Sequence, residues 1–148
     1  MSTRLVINAR FLTQKLTGVQ RYAFEVSMQI KRNYPDVRFV CPSGILHKPW
    51  AEWLDAEVIR PLDGPLWEQI TLPRYLRSQG DCVLLCLANT APLFFSPLFL
   101  TLHDLAFEHK PWSHHFLFRQ WYRILIPRLL GKSTFVFTVS KTMKKEIE

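Results

Sequence analysis

Glycine and cysteine are both scarce: 148 residues hold five of the first and three of the second. The glycines fall singly, so neither a G-x-G-x-x-G dinucleotide fingerprint nor a P-loop with its Lys-Ser/Thr pair is present. The cysteines, Cys41, Cys82 and Cys86, are odd in number and lie on or near apolar segments. That pattern points to buried free thiols in a reducing compartment, not to a disulfide framework. Cys82 and Cys86 have no second pair, and the nearest histidine is His103, which excludes a zinc site. Long apolar runs are missing too. Leu84 to Leu102 comes closest, but Asn89, Thr90, Pro92, Ser96 and Pro97 interrupt it, and a membrane-spanning helix wants about 20 predominantly apolar residues. The opening Met-Ser-Thr-Arg-Leu-Val-Ile enters a strand-like segment directly, so no signal peptide is expected.

Acidic residues are in the minority, 12 against 19 lysines and arginines, for a net charge of +7. Such an excess favours an anionic partner: nucleic acid, acidic lipid or a phosphorylated ligand. The basic residues are scattered, with Lys141, Lys144 and Lys145 the densest run. They form no stripe and accompany no nucleic-acid-binding motif, which places nucleic acid last among these partners. The apolar fraction of 48% is ordinary for a globular chain, and the length suits one domain.

Arg4–Asn8 fits a buried strand. Val19, Tyr22, Ala23, Val26 and Ile30 then recur at helical spacing, predicting a helix from Gly18 to Asn33. Thr17 followed by Gln20 matches a capping box at its start. Val37–Cys41 reads as the second strand, Trp50–Leu54 as a helical turn and Glu57–Ile59 as a short strand. Leu66, Ile70, Tyr75 and Leu76 suggest a helix that Pro73 breaks or bends. Cys82–Leu85 and Leu98–Leu102 are apolar strands. A helix is expected from His114 to Leu130, distorted by Pro127 in its last turn and stopped by Gly131. Thr134–Val139 is the last strand, and Ser140 caps a final helix. Apolar strands alternating with helices predict a Rossmann-like α/β fold, a mostly parallel sheet with helices on both faces.

In such sheets ligands bind beyond the strand carboxyl ends. The loop after the first strand carries Arg10, Lys15 and a helix start at Gly18, whose free N–H groups suit a phosphate or carboxylate. Gly18 serves equally as a turn residue. His103 and Asp104 follow the strand ending at Leu102. A histidine there can hydrogen-bond a hydroxyl or shuttle a proton, or simply bond local backbone while Asp104 caps a turn. Asn89 and Thr90 could meet a polar ligand or serve their own loop. His114 and His115 suit capping or solvent.

Several segments resemble the N-terminal domain of GT-B-fold glycosyltransferases of family 4. They are Ile7-Asn8-Ala9-Arg10, Thr17-Gly18-Val19-Gln20-Arg21-Tyr22, Leu66-Trp67-Glu68-Gln69 with Leu72-Pro73, His103-Asp104-Leu105-Ala106-Phe107 before Pro111, and Phe137-Thr138-Val139-Ser140. That family is retaining and metal-independent and uses nucleotide sugars. The resemblance implies that Gly18 admits a donor diphosphate or an acceptor, that His103 is the catalytic-site histidine touching the donor sugar, and that Asp104 shapes the same loop. Gln20, a candidate substrate-binding residue, stands where many relatives carry a second glycine, and Met143 where a second serine is often found. The family's nucleotide pocket lies mostly in a C-terminal domain, which is absent from these 148 residues. The expected function is therefore the acceptor-side half of a sugar transferase, inactive alone. Its acceptor would be a saccharide or lipid-linked saccharide of surface polysaccharide or lipopolysaccharide. The expected place is the cytoplasm, at the inner face of the membrane, with no cofactor, no metal and no nucleic acid. The alternative is a non-catalytic α/β module binding an anionic ligand or membrane surface. For the membrane, Phe116, Arg119 and Arg123 could share one exposed flank of the helix that contains them.

Overall fold

Strand β1 spans Arg4–Asn8, and its side chains alternate between two cores. Val6 enters one with Leu84, while Ile7 enters the other with Leu85. Everything else follows from burying both faces of this strand. In the computed structural model, residues 2–104 and 116–147 are described.

A 3-10 turn, Arg10–Thr13, follows β1 and leads to α1, Gly18–Asn33. The capping box expected at Thr17 and Gln20 is present. Next come β2 (Arg38–Cys41), α2 (Lys48–Leu54) and β3 (Glu57–Val58). Helix α2 begins before Trp50 because Pro49 occupies its first turn, where a missing N–H costs nothing. One continuous helical run then comprises α3 (Gly64–Leu66), a π-helical turn (Trp67–Thr71) and α4 (Leu72–Ser78). Pro73 does bend the helical pattern, but through a π turn just before it, which absorbs the proline's missing donor and its bulk against the preceding turn. Strands β4 (Cys82–Cys86) and β5 (Leu98–Leu102) follow, then α5 (Phe116–Lys132), β6 (Phe135–Thr138) and α6 (Lys141–Ile147). The expected helix start at His114 and His115 lies outside the described residues. Helix α5 carries Pro127 in its interior and runs one residue past Gly131, so the expected glycine stop does not end it. Ser133 closes it instead, its N–H donating to the Leu129 carbonyl at 2.8 Å.

All strand pairs are parallel, and the order is β3-β2-β1-β4-β5-β6. This is the Rossmann order, so the fold class read from the sequence is shown. Trp67, Leu72, Leu76, Leu125 and Leu129 cover one face of the sheet; Phe11, Leu12, Ala23, Phe24 and Leu54 cover the other. Among the described residues, none covers the second face at β6, where Phe135 and Phe137 are 60% and 48% exposed. Among the described residues, no helix is long and apolar enough to cross a membrane.

Candidate functional site

A parallel sheet puts every strand's carboxyl end on one edge. Connections diverge from β1 toward β2 on one side and β4 on the other, and the crevice at that switch point is where open α/β sheets hold ligands. Asn8 ends β1 there, opposite Cys86 at the end of β4. The Asn8 Nδ2 donates to Glu68 Oε2 at 2.8 Å and lies 3.5 Å from Cys86 Sγ. Thr90 Oγ1 donates to the same Glu68 oxygen at 3.1 Å. Arg10 Nη1 stands 3.6 Å from Glu68 Oε1. Three side chains, Asn8, Arg10 and Thr90, thus converge on one carboxylate that is only 2% exposed, a burial that needs such partners.

The π turn makes this possible. One extra residue in the turn re-aims the side chains on either side of it. Trp67 is fully buried, its indole N–H on the Ile59 carbonyl at 2.9 Å. Gln69 clamps the loop after β4, donating to the Ala91 carbonyl and accepting from the Leu93 N–H, each at 2.9 Å. Thr90 is held beside Glu68 as a result.

Burial, and then the Glu68 carboxylate, push the Cys86 thiol well above its ordinary range, while the Asn8 contact and Arg10 pull it back. The buried Cys86 thiol is therefore neutral at physiological pH. The Tyr122 hydroxyl on α5 feels the same charges. Burial pushes it up to about 12, Arg10 lowers it, and Glu68 and Asp104 raise it.

His103 sits one step away along the edge. Its Nε2 is 2.7 Å from the Leu87 carbonyl, an acceptor only, so Nε2 carries the proton and Nδ1 the lone pair in the neutral ring. Its backbone N–H donates to Asn89 Oδ1 at 2.6 Å. Asn89 adopts a left-handed backbone (φ 68°), which asparagine tolerates better than most residues. Tyr22 of α1 packs edge-on to the imidazole with ring centres 4.6 Å apart, so the start of α1 and the end of β5 meet. Asp104 is exposed.

Gly18 is the first residue of α1, outside the positive-φ region, and a Cβ there would meet nothing within 4 Å. The chain's own fold does not demand a glycine. Gln20 is buried, accepting from the Thr17 N–H at 3.0 Å and donating to Gln14 at 3.0 Å. Its amide serves the helix cap and the loop before it. Lys15 is exposed, whereas Arg10 points inward to Glu68. Of the loop pair, Thr90 joins the carboxylate and Asn89 braces His103.

Sequence reasoning passed over Asn8 and Glu68 as site residues. A glutamate on a helix ordinarily reads as a solvated charge; the available signal was Pro73 five positions on, marking a helix that cannot stay regular. Among the described residues, no group of three His, Cys, Asp or Glu side chains is arranged to hold a metal. No family model, curated protein or solved structure matches the chain.

Proposed function

We propose that the chain is the acceptor-side, N-terminal half of a retaining, metal-independent glycosyltransferase. It would move a sugar from a nucleotide-sugar donor to a saccharide or lipid-linked saccharide in surface-polysaccharide synthesis, at the inner face of the cytoplasmic membrane. The observation that carries this reading is the gathering of the motif residues at one sheet edge. Asn8, Arg10 and Glu68 meet at the switch point, with His103 and the start of α1 beside them. Transfer without a metal rests on positioning and on stabilising a departing diphosphate. The open N-terminus of α1 at Gly18 offers N–H groups for the second task, and the buried polar edge serves the first. His103, with Nε2 tied to Leu87, would present Nδ1 as an acceptor to a sugar hydroxyl. The test is sugar transfer and calorimetric donor binding by the 148-residue chain and by any longer product of its reading frame. The expected result is no transfer and weak donor binding by the chain alone. Tight donor binding by the chain alone would put the nucleotide pocket on the wrong domain.

One observation favours a second reading, a module that rests on an anionic membrane surface. Phe116 and Leu117 are 65% and 73% exposed, and Arg123 and Arg128 on the same helix are exposed as well, whereas Arg119, expected on the Phe116 flank, is half-buried.

A further inference from the structure

Glu68 uses one oxygen fully and the other hardly at all. Oε2 accepts from both Asn8 and Thr90, whereas Oε1 takes no hydrogen bond among the described residues and faces Arg10 Nη1 across 3.6 Å. A polar pair held just beyond 3.5 Å leaves room for a bridging oxygen beside it. Here an oxygen at ordinary charge-assisted distance, about 2.7–2.9 Å from each partner, closes a triangle on that base. Phe11, Gln14, Leu87 and Ala88 complete the wall of the crevice they line with Asn8 and Thr90, and its free space admits a single water-sized group. Arg10 keeps 11% of its side chain exposed, so the crevice has a mouth.

We infer that Arg10 and Glu68 form a subsite for one hydroxyl of a neutral saccharide, a hydroxyl that donates to Glu68 Oε1 while accepting from Arg10 Nη1. The assignment rests on the glycosyltransferase reading and names the part of the acceptor that this edge grips. The chemistry selects the class. A phosphate would gain Arg10 but meet the Glu68 carboxylate, and an ammonium would gain Glu68 but meet Arg10. A hydroxyl is donor and acceptor at once and satisfies both. Asn8 and Thr90 are positioning residues: they hold Oε2, and so fix the direction of Oε1. Burial makes the pair selective, because a buried donor and acceptor left unmatched penalise any sugar lacking that hydroxyl.

The experiment is an NMR titration of the labelled 148-residue chain with a panel of methyl hexosides at millimolar concentration, with inorganic phosphate as a separate arm. The expected result is that at least one hexoside shifts the Arg10 guanidinium and Thr90 amide signals, and that phosphate does not displace it. Glu68→Gln keeps the shape and removes the charge; Arg10→Met keeps the stem and removes the donors. Each should weaken that hexoside by about tenfold or more, with cooperative thermal unfolding confirming the fold. Hexoside shifts that map elsewhere, and are undiminished in both variants, would overturn the subsite while leaving the transferase reading standing. Silence from every hexoside would likewise overturn it, making the gap the seat of a structural water; sugar transfer then judges the wider reading separately. A preference for phosphate would overturn the neutral-saccharide assignment. Should both variants lose their fold, the wild-type shifts at Arg10 and Thr90 still decide.

Discussion

His103 has a structural role in the fold and a proposed chemical one, and the two can be separated. Its ring holds the Leu87 carbonyl and packs on Tyr22. Removing it strands a carbonyl, so His103→Ala should lower stability by about 1–3 kcal/mol. If Nδ1 also meets the donor sugar, turnover of the active enzyme should fall roughly ten- to hundredfold beyond what the unfolded fraction explains. Asp104→Asn should be milder, since Asp104 lies at the exposed end of the same loop. Turnover and thermal unfolding measured on the same preparations distinguish the roles; near-normal turnover in a folded His103→Ala enzyme would remove His103 from the site. A second residue sets a pH limit. Cys41 is fully buried, and burial raises its thiol from the ordinary 9.0 to about 11. Between those values the unfolded chain has released the proton and the folded chain keeps it. Stability is thus fully present below pH 9, is lost as pH rises toward 11, and levels off above, at up to about 1.4 kcal/mol per pH unit inside the window. Chemical denaturation at several pH values should show this decline, and Cys41→Ala should make it shallower. An identical slope in the variant would assign the loss to other groups.

Helix α1 shows how a short local signal settles an element. Thr17 Oγ1 accepts from the Val19 N–H at 3.3 Å, and Gln20 returns the bond to the Thr17 N–H, which is why its start was legible at Gly18. Thr17→Ala should therefore cost about 1 kcal/mol of stability. Gly18→Ala should do the reverse. With an ordinary backbone and open space for a methyl group, alanine restricts the unfolded chain and adds about 0.4–1 kcal/mol. If the glycine exists to let a diphosphate or acceptor approach, that stabilised variant should bind ligand more weakly. Stability and binding moving in opposite directions would support that role; unchanged binding would reduce Gly18 to a turn residue. The same contrast explains what else the sequence disclosed. Strand β1 and helix α1 were readable to the residue, because an apolar run and a capping box are local patterns. The π turn was not, since it depends on Trp67 reaching Ile59 and Glu68 reaching Asn8 and Thr90, residues distant in the chain. Gly131 failed as a stop because α5 is held by Leu125 and Leu129 in the core, and packing outweighs one glycine's propensity. His103 was legible by position, its Leu87 anchor only by fold.

At the scale of the whole molecule, two exposed apolar surfaces differ in charge, and salt separates them. One is the open sheet face, where Phe135 and Phe137 flank Phe99 with ring centres 5.4 and 6.4 Å from it, and Val139 is 48% exposed just beyond. The other is the Phe116–Phe118 end of α5, which shares its helix with exposed Arg123 and Arg128. Exposed aromatic rows at a sheet edge invite association with like surfaces. The chain should accordingly self-associate as its concentration rises, and added salt should not reverse this, because apolar contact is not screened. Phe137→Lys should return it to monomer in sedimentation velocity, and a Phe137→Lys chain that associates as before would clear the sheet face. The α5 end should behave oppositely. With a net charge of +7, the molecule should be drawn to acidic lipid at long range, with Phe116 and Leu117 supplying the apolar contact once there. The attraction between exposed charges weakens as the Debye length shrinks from about 10 Å at 0.1 M salt to 3 Å at 1 M. Co-sedimentation should thus show binding to vesicles with acidic lipid, little to neutral ones, and release at high salt. Replacing Phe116 and Leu117 by serine should weaken binding without affecting self-association, since the two surfaces lie on different elements. Equal pelleting with acidic and neutral vesicles would retire the membrane surface, and salt-reversible self-association would show that charge, not the bare strand, brings the copies together.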